Sequence, residues 1–155
     1  MLNHPAKENT VLAKMKALAK QKDICVLATA SENKPHCSLM AYATDDECSE
    51  IYMVTNRDTK KYRNLIQNPT ISLLIDTRDE VEDSGRLRSK ALTVEGEFQP
   101  IKEAEKEVLV RKRLRAKHPH LDELLSYPDS EVFSIRVISF LLLEGPTDSY
   151  FERIS

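Results

Sequence analysis

Hydrophobic positions along the chain follow two periods, and the switches between them mark out its elements. Val11, Leu12, Met15, Leu18 and Ala19 recur at helical intervals with Lys14, Lys16 and Lys20 off the stripe, which predicts an amphipathic helix over Thr10–Ala19. Ile24–Ala30 (ICVLATA) is a continuous apolar run of strand length, SENKP is turn chemistry, and His36–Thr44 (HCSLMAYAT) returns as a second strand, so the two form a hairpin. Side chains alternate faces along a strand. In the second strand, Cys37, Leu39, Ala41 and Ala43 read as the core face and Ser38, Met40 and Tyr42 as a mixed face. That mixed face suits a sheet edge under a loop or a flat ligand lying on the sheet. Cys25 and Cys37 read as small core residues.

The stretch Ile51–Asp76 (IYMVTNRDTKKYRNLIQNPTISLLID) carries the clearest change of period. Ile51–Val54 is strand-like, Asp58–Gln67 is polar with Tyr62, Leu65 and Ile66 at near-helical spacing, and Asn68-Pro69 stops the helix before the next apolar strand. The turn into that helix holds Thr55, Asn56, Thr59, Lys60 and Lys61. A helix N-terminus offers unpaired N–H groups and the positive end of a dipole, and two lysines in the first turn add cationic donors. This chemistry suits a phosphate; the alternative is a surface helix capped by Asp58, with Lys60 and Lys61 as a solvated face.

Further along, Thr77–Ser89 is polar and aperiodic, whereas Lys90–Phe98 alternates cleanly, with Gly96 a candidate bulge. After Pro100 a helix is predicted over Ile101–Lys117, with Glu107 and Arg111 an i,i+4 pair. The basic residues Arg111, Lys112, Arg113, Arg115 and Lys117 lie beside KEAEKE and lack aromatic neighbours, so they read as a solvated face rather than a nucleic-acid surface. His118 and His120 have no third ligand at a zinc spacing, and no metal site is expected. A short helix over Leu121–Ser126 precedes the last predicted strand, Val132–Leu143, which is apolar on both faces towards its end. The order of elements reads as a mainly β, α+β fold: an antiparallel barrel with inserted helices, in a single domain.

Composition narrows the functional classes. The 155 residues carry 23 basic and 25 acidic side chains, so no global field recruits nucleic acid or anionic lipid, and no apolar run is long enough to span a bilayer. Three cysteines without C-x-x-C spacing, after an N-terminus lacking a signal-peptide core, point to a reducing cytoplasmic setting.

Several ordered segments resemble the split-barrel flavin-binding proteins related to pyridoxamine 5′-phosphate oxidase. They are ICVLATA, then KPHCSLMAY, then the Ile51–Asp76 stretch with its TN pair, its Thr-Lys-Lys step into a helix and its NP, and finally KALTVEGEF. The likeness covers roughly residues 24–144 and implies a split antiparallel β-barrel of about six strands with flanking helices. It also implies FMN as cofactor, with Lys60 and Lys61 holding the phosphate and Thr59 helping at the same helix start. Val54 and Thr55 would pass beside the flavin. The strand Ser38–Tyr42 would present backbone groups, Leu39 among them, and the face made by Ser38, Met40 and Tyr42 to the ring system. Lys90 and Ala91 occupy positions where the family often contributes contacts, commonly with Arg and Gln.

The departures shape the expected activity. The chain has no Trp and ends in GPTDSYFERIS, whereas the oxidase closes with a Trp and an Arg-rich substrate segment, so oxidation of pyridoxamine phosphate is not expected. An FMN-dependent oxidoreductase of another substrate is the leading expectation; a flavin-binding storage, sensing or stress protein, and a haem- or deazaflavin-binding relative, are the alternatives. The flavin does the redox chemistry in such proteins and the polypeptide supplies position and electrostatics. The resemblance further implies a homodimer with the flavin between subunits. The two apolar faces of Val137–Leu143 support this physically, since a barrel strand facing its interior with one side needs a cover for the other; a second subunit or the chain's own stripe of Val11, Met15 and Leu18 would supply it.

Overall fold

The computed structural model describes residues 3–80 and 89–155, with residues 3–9 as backbone only. Much of the expected loop over 77–89 therefore lies outside the described residues. The elements run α1 (Asn3–Gln21), β1 (Ile24–Ser31), β2 (Lys34–Ala41), β3 (Ala43–Thr44), β4 (Glu50–Asn56), α2 (Lys60–Gln67), β5 (Thr70–Asp76) and β6 (Lys90–Pro100). They continue with α3 (Ala104–Lys117), a 3₁₀ turn (Pro119–Leu121), α4 (Asp122–Leu125), β7 (Ser130–Glu144) and β8 (Asp148–Arg153).

All the strands join one curled antiparallel sheet in the order β2-β1-β5-β6-β7-β4-β3, with β8 also paired to β7. The split in this half-barrel is at β7. Its first half, Ser130–Arg136, pairs with β4, and its second half, Ser139–Glu144, pairs with β8, while β6 runs along its other side. A register shift at Glu95/Gly96 lets β6 follow that bend, as the isolated glycine predicts. A Cβ on Gly96 would lie 2.5 Å from Ile135 Cγ2 and 3.0 Å from the Arg136 carbonyl, so only glycine fits without repacking.

The inner face is filled by Leu27, Met40, Ile51, Met53, Leu73, Ile75, Leu92, Phe133 and Phe140, and α1 closes it with Met15, Leu18 and Ala19. β4 is buried on both faces, because Tyr52 and Val54 point the other way into a second cluster with Val110, Leu114 and Leu125 from α3 and α4. That explains its unbroken apolar run. The C-terminal end of α1 is fastened from outside: Tyr42 OH donates to the Ala19 carbonyl, and Lys117 Nζ donates to the carbonyls of Lys22 (2.6 Å) and Lys20 (3.3 Å). Lys117 also lies 4.4 Å over the Tyr42 ring.

Four expectations change. The strand expected over His36–Thr44 breaks at Tyr42, where the chain leaves β1 for β4. The two faces of β2 are exchanged: Cys37 is exposed and Leu39 is 70% exposed, while Met40 and Tyr42 are buried. The hairpin register explains it, since Met40 is opposite Cys25 and Leu39 opposite Val26, and directly opposed residues share a face. The basic residues of α3 are partly fasteners rather than a solvated face, with Arg111 donating to the Leu125 carbonyl and Arg113 to that of Thr44. Finally, the segment after Leu143, expected to follow the last strand, forms β8 through a turn at Gly145, whose φ is 66°.

Candidate functional site

The chain enters α2 through a self-capped turn. Asn56 Oδ1 accepts from the Asp58 N–H (2.9 Å), Thr59 Oγ1 donates to the Asn56 carbonyl (2.9 Å), and the same Thr59 oxygen accepts from the Tyr62 N–H (3.2 Å). Thr59 is thus the N-cap, and the Asp58 cap is corrected: its carboxylate is out in solvent beside Arg63, at 3.3 Å. A threonine side chain reaches the third N–H of the helix, leaving the amides of Lys60 and Lys61 without a recorded partner among the described residues. No acidic side chain stands in the first turn.

Lys60 is exposed, whereas Lys61 is half-buried, and its Nζ rests 3.2 Å from Met40 Sδ. A thioether is a weak acceptor. Burial pushes the Lys61 ammonium below its ordinary value, and no carboxylate is recorded near it among the described residues. Among the described residues, the helix start therefore holds an ammonium with no carboxylate partner. Directly below it, Asn64 Nδ2 donates to Thr29 Oγ1 on β1 (3.2 Å), Leu65 is wholly buried, and Tyr62 meets Phe98 edge-on with centroids 6.2 Å apart. These contacts seat α2 on the barrel.

The structure brings Thr59, Lys60, Lys61 and Met40 together, with Ser38 on the same face of β2 as Met40. Because β2 ends the sheet, one side of its backbone has no strand partner among the described residues. The remaining expected site residues are in or beside the sheet strands. Tyr42 is wholly buried with its hydroxyl on the Ala19 carbonyl, and burial pushes its ionisation upward, so its side chain belongs to the core. Val54 and Thr55 are buried within β4, and the Val54 side chain packs with Val110. Lys90 and Ala91 lie on β6, three strands from β2, with the Lys90 N–H donating to Thr77 Oγ1 at 2.9 Å. His118 is buried with Nε2 2.7 Å from the Tyr42 carbonyl, and no metal-binding group is found among the described residues.

Leu39 instead opens the outer face of the sheet. The pairings align Leu39, Val26, Leu74, Thr93, Leu141 and Phe151 in one row across six strands. Leu39 and Phe151 are exposed by 70% and 61%. The neighbouring row contains Asp76, Ala91 and Leu143, and a cavity of about 680 Å³ opens over Ile24, Val26, Leu39 and Leu74, with Lys22, Asp76 and Arg78 also lining it. The strand periodicity could have located this row; only the face assignment of β2 and the missed β8 concealed it.

The fold is thus a split antiparallel barrel with a cationic helix start beside its edge strand. The chain belongs to the pyridoxamine 5′-phosphate oxidase family, whose profile matches residues 11–141. Among solved structures, it is similar to a heme-binding protein from Mycobacterium smegmatis, at 19% identity and a TM-score of 0.80 over 90% of this chain. The match spans 56% of that longer protein. It is also similar to an FAD-binding protein from Mesorhizobium loti (19% identity, TM-score 0.66, 81% of this chain and 87% of that one). General Stress Protein 26 from Bacillus anthracis matches at 22% identity and a TM-score of 0.66, over 92% of this chain and 98% of its own. No curated protein matches. No helix among the described residues is long and apolar enough to cross a membrane.

Proposed function

We propose that the chain is an FMN-binding flavoprotein, acting as an oxidoreductase on a substrate other than pyridoxamine or pyridoxine phosphate. The observation that carries this is Lys61: a half-buried ammonium at a helix start, resting on a thioether, with no carboxylate beside it among the described residues. A phosphate would supply the missing charge and meet the open amides of Lys60 and Lys61. The edge of β2 would then border the ring system, and the isoalloxazine would supply the redox chemistry when bound. Lys90 and Ala91 lie three strands from β2 in their own chain, and a second copy laid over the outer apolar row would bring such residues to the seat as a homodimer. Three free cysteines fit a reducing cytoplasm.

Haem is the second reading, favoured by the heme-binding neighbour from Mycobacterium smegmatis. Against it, the described residues lining the outer cavity include no imidazole, and its one cysteine, Cys25, is buried with its thiol pushed up to about 12 by burial. The spectrum of copurified small molecule separates the two: flavin bands support the proposal, a Soret band the alternative. Titration of the apoprotein then tests the seat. Lys61→Ala should weaken FMN about tenfold or more, as expected for a charge-assisted contact, and riboflavin much less. Equal losses for both ligands would place the phosphate elsewhere.

A further inference from the structure

Helix α2 spans only Lys60–Gln67, and its buried side chains are Asn64 and Leu65. Its apolar anchors are Leu65 and the half-buried Tyr62 against Phe98, and because hydrophobic contact is not directional they leave the rotation of so short a helix loosely set. Asn64 supplies direction. It is 6% exposed and its amide meets the hydroxyl of Thr29, itself 2% exposed, on the inner face of β1. A leucine and a valine would fill similar space at less risk, since a buried polar group is costly unless its partner is correctly placed. Asn64 stands three and four residues after Lys61 and Lys60, so the same side of the helix carries both lysines one turn above the bond.

We infer that the Thr29–Asn64 pair is a positioning device for the anion seat: it fixes the rotation of α2 on β1 and thereby aims Lys61 at the edge of β2. The inference rests on the phosphate seat proposed above. The pair touches no ligand; its effect passes through Lys61. Its contribution should therefore appear as preference for the phosphorylated ligand, whereas a merely structural role would appear as lost folding stability alone.

The test is a fluorescence titration of apoprotein with FMN and with riboflavin, alongside thermal unfolding. Replacing both partners by apolar groups of similar shape can leave stability almost unchanged. Thr29→Val/Asn64→Leu should keep riboflavin affinity within about threefold while the FMN-over-riboflavin preference falls by about tenfold, as for Lys61→Ala. Thr29→Ser retains the hydroxyl and should retain the preference, which serves as the readout if the double variant folds poorly. If the double variant keeps the preference, or Thr29→Ser loses it as fully as Thr29→Val, the positioning role is overturned while the seat stands on Lys61→Ala. If neither the wild type nor Lys61→Ala distinguishes FMN from riboflavin, both the seat and its positioning fall together.

Discussion

Placing a carboxylate in the outer apolar row should separate the proposed dimer without unfolding the subunit. Leu39 is 70% exposed in the single chain, so most of its burial remains to be gained. Full burial of a leucine is worth about 2 kcal/mol, which leaves about 1.4 kcal/mol for a partner to cover. In an isologous contact every residue occurs twice, so the loss in Leu39→Ala approaches about 3 kcal/mol, or roughly 100-fold in the dimer dissociation constant. Leu39→Asp should exceed that, because the carboxylate must also be stripped of water. Stability of the separated subunit should hardly move, as Leu39 contributes nothing to the inner core. Sedimentation velocity over a concentration series, with and without FMN, reads the constant directly; FMN held by both chains should shift it toward dimer. A wild-type protein that is monomeric at micromolar concentration yet binds stoichiometric FMN would refute the shared site. So would a dimer indifferent to Leu39→Asp.

Two further outcomes follow from the geometry. Gly96→Ala pushes a methyl group to 2.5 Å from Ile135 Cγ2 and should cost about 1–3 kcal/mol, seen as a fall of several degrees in Tm; an unchanged Tm would show that the bulge yields freely. Burial holds the Lys61 pKa below 10.5 in the free protein, and a bound phosphate, already dianionic above neutral pH, would raise it. Binding then takes up a proton between the two values, so FMN affinity is full below the lower one and falls as pH rises through it, while riboflavin affinity does not follow. An FMN-to-riboflavin ratio that stays flat through that range would remove Lys61 from the seat.

Residues whose patterns are local were legible in the sequence. Pro69 and the polar run before it announce α2, the alternation of Leu92, Val94 and Phe98 announces β6, and Gly96 announces its bulge. The lysine pair was legible for the same reason, as helix-start chemistry needs only adjacent positions. Facing was not. Cys37 and Leu39 look as apolar as Met40 and Tyr42, and only the register against β1 decides which pair turns inward. The Thr29–Asn64 bond joins residues whose individual chemistry is ordinary for a strand and a helix, so no local pattern marks it. β8 is short and mostly polar, and becomes a strand because β7 offers it an edge.

The division of β7 between two partners also bears on how the chain is made. Ile51 pairs with Ile135, and among the described residues the strand beside β4 before β7 exists is the two-residue β3. At about 5–20 residues per second, that interval lasts roughly 4–17 seconds on the ribosome. The β1–β2 hairpin can form meanwhile from neighbouring sequence, but β4 waits with apolar side chains on both faces. Closure then depends on one long-range pairing, the slow kind. Nascent chains halted before Ser130 should accordingly be held by chaperones, and those halted with β7 clear of the exit tunnel should be released from them.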